Sequence, residues 1–187
     1  MLRFKYGTIL VVFSLFFSAV TVVTAAQPAE EKRLGEKSTL RVSSHEVKAL
    51  HKYAKKHGYS TRYGLFANLG LNSGLKRLAV IDLQTHLIVE SALVTHGHCK
   101  ENESEVRFSN IEGSNCSSTG RYRIGKSYYG SFGLAFKLHG LDKTNNNAFS
   151  RAIVMHAHEC VYDTVWPVEI CESEGCPTVS PQMLRNI

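Results

Sequence analysis

The feature that most constrains the fold is a series of short segments, rich in branched and aromatic residues, that polar turns separate. Residues 77–83 (RLAVIDL) and 86–94 (HLIVESALV) predict a β-hairpin around a Gln-Thr turn. Residues 120–129, 134–141 and 151–158 predict three further strands, which glycines and the segment KTNNNA separate. Short strands joined by turns favour a mostly β domain of the sandwich or barrel type.

One α-helix is predicted before this region, over about residues 44–57. Ser43 with Glu46 three residues later matches a capping box, in which the two residues bond each other's backbone amides at the helix start. Apolar residues follow at helical spacing, namely Val47, Leu50 and Ala54. Gly58 marks the end. We expect this helix to pack against the β domain.

The first 26 residues have the layout of a secretory signal peptide. Arg3 and Lys5 precede an apolar run, and small residues follow at positions 24–26. Residues 27–42 are polar and predict a linker, so that residues 43–187 would form a single domain. A retained membrane anchor is the alternative, because the apolar run approaches the length that spans a bilayer. The small residues and the abrupt change in polarity favour cleavage and export.

The charge of the chain constrains its partners. The formal net charge of +6 falls to about +4 once Arg3 and Lys5 are removed, which suits a protein that works near anionic wall or membrane polymers. The basic residues are scattered and no recognition motif is present, so nucleic-acid binding is not expected. The membrane would be contacted only through the signal segment before cleavage.

Export would allow the cysteines to pair, because disulfides form and persist outside the cytoplasm. The chain has five cysteines, and an odd count leaves at least one thiol unpaired in a monomer. We expect the bridges Cys99–Cys116 and Cys160–Cys171, although the sequence alone does not determine the pairing. Cys176 would then be the unpaired thiol. An intermolecular bridge or an incidental buried thiol is the alternative.

Cys176 lies in a Ser-x-Gly-Cys turn that suits a nucleophile. A cysteine nucleophile needs deprotonation, a base within hydrogen-bond reach, and donors that face the developing oxyanion. Gly175 permits a tight turn, and the amides of Gly175 and Cys176 can face a carbonyl oxygen. Ser173 can brace the turn or meet a substrate. His156, at the end of an apolar strand, is the candidate base, and the two side chains would form a thiolate–imidazolium pair.

These residues resemble a known family, the murein L,D-transpeptidase catalytic-domain-like branch of the YkuD-type L,D-transpeptidases. The family's signature is a strand histidine followed by a Ser-x-Gly-Cys turn, here IVMH and SEGCP. The resemblance covers about residues 77–180, where the segments RLAVIDL, LVTHG, RFSN, SSTGRYRIG, FKLHGLDKTNNNAFSRAIVMHA and SEGCPTV occur in the expected order. It implies an L,D-transpeptidase-like β-sandwich or barrel with an N-terminal helix and short peripheral helices.

The resemblance also implies a reaction. Such enzymes attack the bond between meso-diaminopimelate and D-alanine in peptidoglycan stem peptides, form a thioester, and pass the acyl group to an amine or to water. Carried over, Cys176 is the nucleophile, His156 the general base, Gly175 with Cys176 the source of oxyanion amides, and Ser173 a motif residue. His139 and His96 match histidines of this branch and are expected to line the substrate site. No cofactor is implied.

Two departures from the family pattern concern the nucleophile turn. Glu174 stands where many relatives have a basic or aromatic residue. Its carboxylate is expected either to raise the pKa of the thiol or to repel an acidic stem peptide. The arginine or asparagine that many other members place after the nucleophile is absent, since residues 177–179 are Pro-Thr-Val. The binding of substrate carboxylates is therefore unassigned.

Two other function classes stay open. Glu174 and the short segment after Cys176 fit a peptidoglycan-binding module of the same fold with little activity. The His-x-His pairs at 96–98 and 156–158 fit a periplasmic zinc protein, because zinc binds such side chains. Residues i and i+2 of any strand share a face, however, so ordinary surface histidines account for both pairs equally well. The oligomeric state is not indicated.

Overall fold

The computed structural model describes residues 10–13 as backbone only and residues 40–99 and 107–187 in full. Within these ranges the chain forms eight strands and two helices. In chain order they are β1 Leu10–Phe13, α1 Ser44–Lys56, β2 Tyr63–Ala67, β3 Leu78–Asp82, β4 Leu87–Ala92, β5 Gly120–Gly130, β6 Gly133–Gly140, β7 Val154–Ala157, β8 Thr178–Val179 and α2 Pro181–Asn186.

The strands form a sheet in the order β4-β3-β2-β1-β5-β6-β7-β8. Neighbours are antiparallel except that β1 runs parallel to β2 and β8 runs parallel to β7. The main core contains buried residues from β2 and β3 as well as from β5, β6 and β7, so both halves of the sheet contribute to one interior. The mostly β fold and the hairpin of β3 and β4 are confirmed.

Helix α1 packs on the face of β2 and β3 that points away from the main core. Its capping box is present, because the Ser43 hydroxyl accepts from the Glu46 amide at 3.2 Å and the Ser43 amide donates to the Glu46 carboxylate at 2.8 Å. A second buried cluster joins this helix to the sheet and consists of Val47, Leu50, Phe66, Ala79, Ile81 and Leu83. Burial of each large apolar side chain stabilises the fold by about 1.5–3 kcal/mol. The predicted helix and its packing are confirmed.

The apolar N-terminal run contributes a strand to the sheet. Leu10–Phe13 lies between β2 and β5, with Val11 opposite Leu65 on one side and Tyr122 on the other. Branched apolar residues favour extended backbone, and the two flanking strands satisfy its hydrogen bonds on both sides. Cleavage of the predicted signal peptide would remove this strand, so this sheet is that of the uncleaved chain. The rest of the predicted signal, and residues 27–39 of the predicted linker, lie outside the described residues.

No helix in the described part of the chain combines the length and the apolar character that a membrane crossing needs.

Candidate active site

The structure brings Cys176 and His156 to neighbouring positions at one edge of the sheet. Met155 of β7 faces the core, so Val154 and His156 point to the opposite face. His156 is paired with Thr178 of β8. Cys176 precedes Thr178 by two residues and lies beside Val154, whose amide donates to Sγ at 3.4 Å.

His156 is held as a neutral ring with its lone pair on Nε2. Nδ1 lies 3.0 Å from the Ala157 carbonyl oxygen, which only accepts, so Nδ1 carries the proton. Nε2 then accepts from the Thr178 hydroxyl at 3.2 Å. Burial lowers the pKa of His156, the Ala157 carbonyl raises it, and the nearby charge of His158 lowers it further. Phe132 of the β5–β6 turn stacks on the ring at a centroid distance of 4.5 Å.

The Cys176 thiol is half-buried, and its environment favours the protonated form. Burial raises the pKa of the thiol, the Val154 amide and the charge of Arg151 lower it, and Glu174 raises it again. The expected direction of the Glu174 effect is therefore present, and it is the smallest of these contributions. The pKa directions of both groups describe a neutral thiol beside a neutral imidazole. This differs from the expected thiolate–imidazolium pair, because burial penalises both charged forms.

Ser173 braces the nucleophile turn. Its hydroxyl donates to the Cys176 carbonyl at 2.6 Å and accepts from the Gly175 amide at 3.2 Å. Gly175 has φ +109°, and a Cβ there would lie 2.8 Å from the Cys116 carbonyl oxygen, so only glycine fits. Since Ser173 engages the Gly175 amide, only one of the two expected oxyanion donors is open: the Cys176 amide has no hydrogen-bond partner in the described part of the chain.

The segment before Cys99 anchors this turn from behind. The Ser173 amide donates to the His96 carbonyl at 2.8 Å, and the Ser173 carbonyl accepts from the His98 amide at 2.9 Å. The Thr95 hydroxyl donates to the Cys176 carbonyl at 3.0 Å. These bonds fix the turn that carries Cys176.

His96 lies buried behind the turn, with an exposed fraction of 4%. The fully buried Arg77 donates to its Nδ1 at 2.8 Å, so the remaining proton is on Nε2, which lies 3.4 Å from the Glu172 carboxylate. Burial, with the charge of Arg77, lowers the pKa of His96 to about 4. Sequence reasoning missed Arg77, because nothing in the sequence indicates that a basic residue at a strand start is buried.

His139 lies on the same face of the sheet as His156, but one strand away. Ala135 of β6 is paired with His156, and His139 follows Ala135 at an even spacing. The His139 ring stacks on Phe149 at a centroid distance of 4.6 Å. Burial lowers the pKa of His139, and the charges of Arg123 and Lys137 lower it further.

Both expected disulfides are present, Cys99–Cys116 and Cys160–Cys171, and Cys176 is the free cysteine. The first bridge lies beside the nucleophile turn, where the Cys116 carbonyl accepts from Arg151 at 2.6 Å. Two disulfides fit an exported protein.

The His-x-His pairs do not converge on a common point. Among the residues that the structure describes, no three or more His, Cys, Asp or Glu side chains are placed to hold a metal ion. His98 Nδ1 contacts the Cys99 carbonyl at 2.6 Å, and His158 Nδ1 lies 2.9 Å from Sγ of Cys160.

Comparison with known proteins identifies the family. Curated proteins and solved structures gave no match. The family model of the L,D-transpeptidase catalytic domain matches residues 35–187, which include the helix, β2 to β8 and the nucleophile turn. Enzymes of this family act on peptidoglycan. The chain belongs to the L,D-transpeptidase catalytic-domain family.

Proposed function

We propose that this protein is an exported cysteine acyltransferase of peptidoglycan stem peptides, an L,D-transpeptidase that acts as an L,D-carboxypeptidase when water is the acceptor. The observation that carries the proposal is the free Cys176 in its braced turn, with His156 on the neighbouring strand. The family supports this type of activity in general.

The first half of the reaction would be acylation. Nε2 of His156 takes the thiol proton while Sγ of Cys176 attacks the carbonyl of meso-diaminopimelate. The proposed donor to the oxyanion is the Cys176 amide, because it has no hydrogen-bond partner among the described residues. The C–N bond then breaks, and His156 returns the proton to the amine of the departing D-alanine. Because Thr178 occupies Nε2 in the free protein, its hydroxyl must turn away as the thiol approaches.

The second half would be deacylation. An amine or a water molecule attacks the thioester carbonyl, His156 takes its proton, and the C–S bond breaks. The proton passes to Sγ, which restores the neutral thiol. Transfer to an amine forms a new peptide bond, whereas transfer to water releases a shortened stem.

We place this activity in the periplasm or outside the cell. The two disulfides support an oxidising compartment, and the apolar N-terminus supports export. Peptidoglycan stem peptides are the proposed partners, and no nucleic acid is proposed.

A peptidoglycan-binding module with little activity is the second candidate. Three features favour it: the raised pKa of the Cys176 thiol, the bond between the Gly175 amide and Ser173, and the bond between Nε2 of His156 and Thr178. Each must change before the chemistry can begin. Such a module binds sacculi but leaves muropeptides unchanged.

The test is incubation with purified tetrapeptide muropeptides, read by mass spectrometry. We expect the wild type to form an acyl adduct and to yield tripeptide or cross-linked products, and Cys176→Ala to form neither. Equal product from both proteins would refute the proposal. Binding without product would favour the binding module.

A pair of histidine variants tests the base. His156→Gln should lower the rate by about 10²-fold or more, the usual contribution of a general base. His158→Gln is the matched control two residues away and should keep most of the activity. Equal losses in the two variants would point to folding damage instead, which thermal melting of each protein would reveal.

A further inference from the structure

Three basic side chains lie together on the face of the sheet that carries the reactive residues. Arg123 of β5 is paired with His139 of β6, and Lys137 lies two residues before His139 on the same face of β6. Neither Arg123 nor Lys137 forms an ion pair within the described residues. The charges of both lower the pKa of His139, after the larger effect of burial, which agrees with their close grouping. We call these three residues the basic strip.

Neighbouring residues shape the basic strip. Gly125 lies in a bulge of β5, and a Cβ there would come within 2.7 Å of Nε2 of His139, so its absence makes room for the ring. Phe149 stacks on that ring at a centroid distance of 4.6 Å. The Lys137 ammonium lies 5.2 Å from the centre of the Phe149 ring and 5.5 Å from that of Tyr128, within the range of cation–π attraction.

The basic strip still has capacity to bind a ligand. Neither ring nitrogen of His139 has a hydrogen-bond partner in the described ranges, although the ring is half-buried. Lys137 and Arg123 contribute positive charge that no carboxylate of these ranges neutralises by an ion pair. A group with several acceptor oxygens and a negative charge would satisfy all three side chains, and a carboxylate is such a group.

The register connects the basic strip to the nucleophile. Lys137 is paired with Val154, whose amide donates to Sγ of Cys176 at 3.4 Å. Lys137 and Cys176 are therefore about two strand spacings apart, ~10 Å between their backbones. An extended peptide advances about 3.5 Å per residue. The side chain of Lys137 can extend along the face of the sheet toward Cys176. The ammonium can thus meet a group one residue beyond the carbonyl that Sγ attacks.

We propose that Arg123, His139 and Lys137 bind the C-terminal carboxylate of the stem peptide that donates its acyl group. The inference rests on the proposed function, because it takes the donor to be a stem tetrapeptide whose last residue leaves. It supplies a receptor for the carboxylate that the missing arginine or asparagine after Cys176 leaves unassigned.

Binding tests the receptor without turnover. The full chain with Cys176→Ala is titrated calorimetrically with two synthetic tetrapeptides, which end in a carboxylate or in a carboxamide. Adding Lys137→Gln should weaken binding of the carboxylate peptide by about tenfold or more, the loss of one charge-assisted bond. It should leave binding of the carboxamide unchanged. Lys126→Gln, an exposed lysine of the same hairpin, is the matched control and should change neither.

Kinetics separate the two proposals. If the wild type processes the tetrapeptide, Lys137→Gln should raise KM for the carboxylate substrate and change kcat little. Unchanged KM and unchanged binding would overturn the receptor and leave the proposed function standing. If the wild type processes no stem peptide, the proposed function fails, and the titration still decides the receptor: a carboxylate preference lost in Lys137→Gln supports it, and no preference or no binding overturns it.

Discussion

The Arg77 guanidinium donates to Nδ1 of His96 at 2.8 Å in the interior, directly behind the nucleophile turn. Arg77 also donates to the backbone carbonyls of Leu69, Leu71 and Val94 at 2.7–3.1 Å. The contact determines the tautomer of His96, since a guanidinium cannot accept. One buried cation thus organises the loop before β3, the segment after β4, and the histidine that faces Glu172.

Replacing Arg77 should destabilise the protein. Arg77→Met leaves the buried carbonyls of Leu69 and Val94 and the half-buried carbonyl of Leu71 without this donor. We expect a loss of about 2–4 kcal/mol in the free energy of unfolding. Urea denaturation of the purified protein measures this loss. Lys76→Met is the matched control, because Lys76 is the exposed neighbour, and it should change stability little. A loss below about 0.5 kcal/mol for Arg77→Met would contradict the assigned role.

His96 should make stability depend on pH. Its pKa falls from 6.5 to about 4 on folding, so the unfolded chain binds the extra proton between these values. The stabilisation is fully present above pH 6.5 and is lost as pH falls toward 4, by on the order of 3 kcal/mol. As pH falls from 6.5 to 4, the urea denaturation midpoint should drop less for His96→Gln than for the wild type. A His96 ring signal that titrates near pH 6.5 by NMR would argue against this.

The charges around Cys176 should tune its ionisation. Because burial raises the pKa of the thiol, iodoacetamide should alkylate Cys176 with a midpoint above that of an ordinary cysteine. Glu174→Gln removes a negative charge and should move the midpoint down, whereas Arg151→Gln should move it up. Glu159→Gln is the control and should leave the pH midpoint of alkylation unchanged. Shifts in the same direction for both variants would contradict the electrostatic explanation. Peptide mapping identifies the alkylated residue.

The two disulfides should differ in their effect on activity. A double Cys→Ser change at either bridge should cost about 2–4 kcal/mol of stability. Loss of Cys99–Cys116 should also reduce activity, because the Cys116 carbonyl accepts a hydrogen bond from Arg151 and packs against Gly175 in the turn before Cys176. Loss of Cys160–Cys171 affects a separate cluster with Leu93, Val161 and Ile170, and should reduce activity less. Turnover of both variants, assayed well below their unfolding temperatures, tests the difference.

Because Leu10–Phe13 forms β1, we expect amide hydrogen exchange to differ between the full chain and a shortened chain of residues 27–187. Without Leu10–Phe13, the facing backbones of β2 and β5 lose their partner, and their amides should exchange with deuterium faster. Amides shared by β6 and β7 should exchange at the same rate in both proteins and serve as the internal control. Equal exchange in β2 and β5 would show that the N-terminal strand does not contribute to the sheet.

The local sequence was sufficient to predict the elements that are encoded locally. The period of branched residues predicts β3 and β4, and Ser43 with Glu46 predicts the start of α1, because strand alternation and helix capping act over a few residues. The turn around Cys176 was recognisable for the same reason. The predicted cysteine pairing also appears in the structure.

Other features depend on residues that are distant in the sequence. The burial of Arg77, the Phe132 ring over His156 and the grouping of Arg123 with Lys137 all arise from packing between strands. So does the Thr178 hydroxyl at Nε2 of His156. The spacing of residues along the sequence does not predict such contacts, because they join residues on different strands.

By itself the sequence determined the fold class, the family and the candidate nucleophile with its base, since these follow from local patterns and a motif. Only the tertiary structure decided the surroundings of Cys176 and His156 and, through them, the direction in which the pKa of each group moves. Burial in the folded chain sets the balance between desolvation and neighbouring charges, and that balance favours neutral forms of both groups.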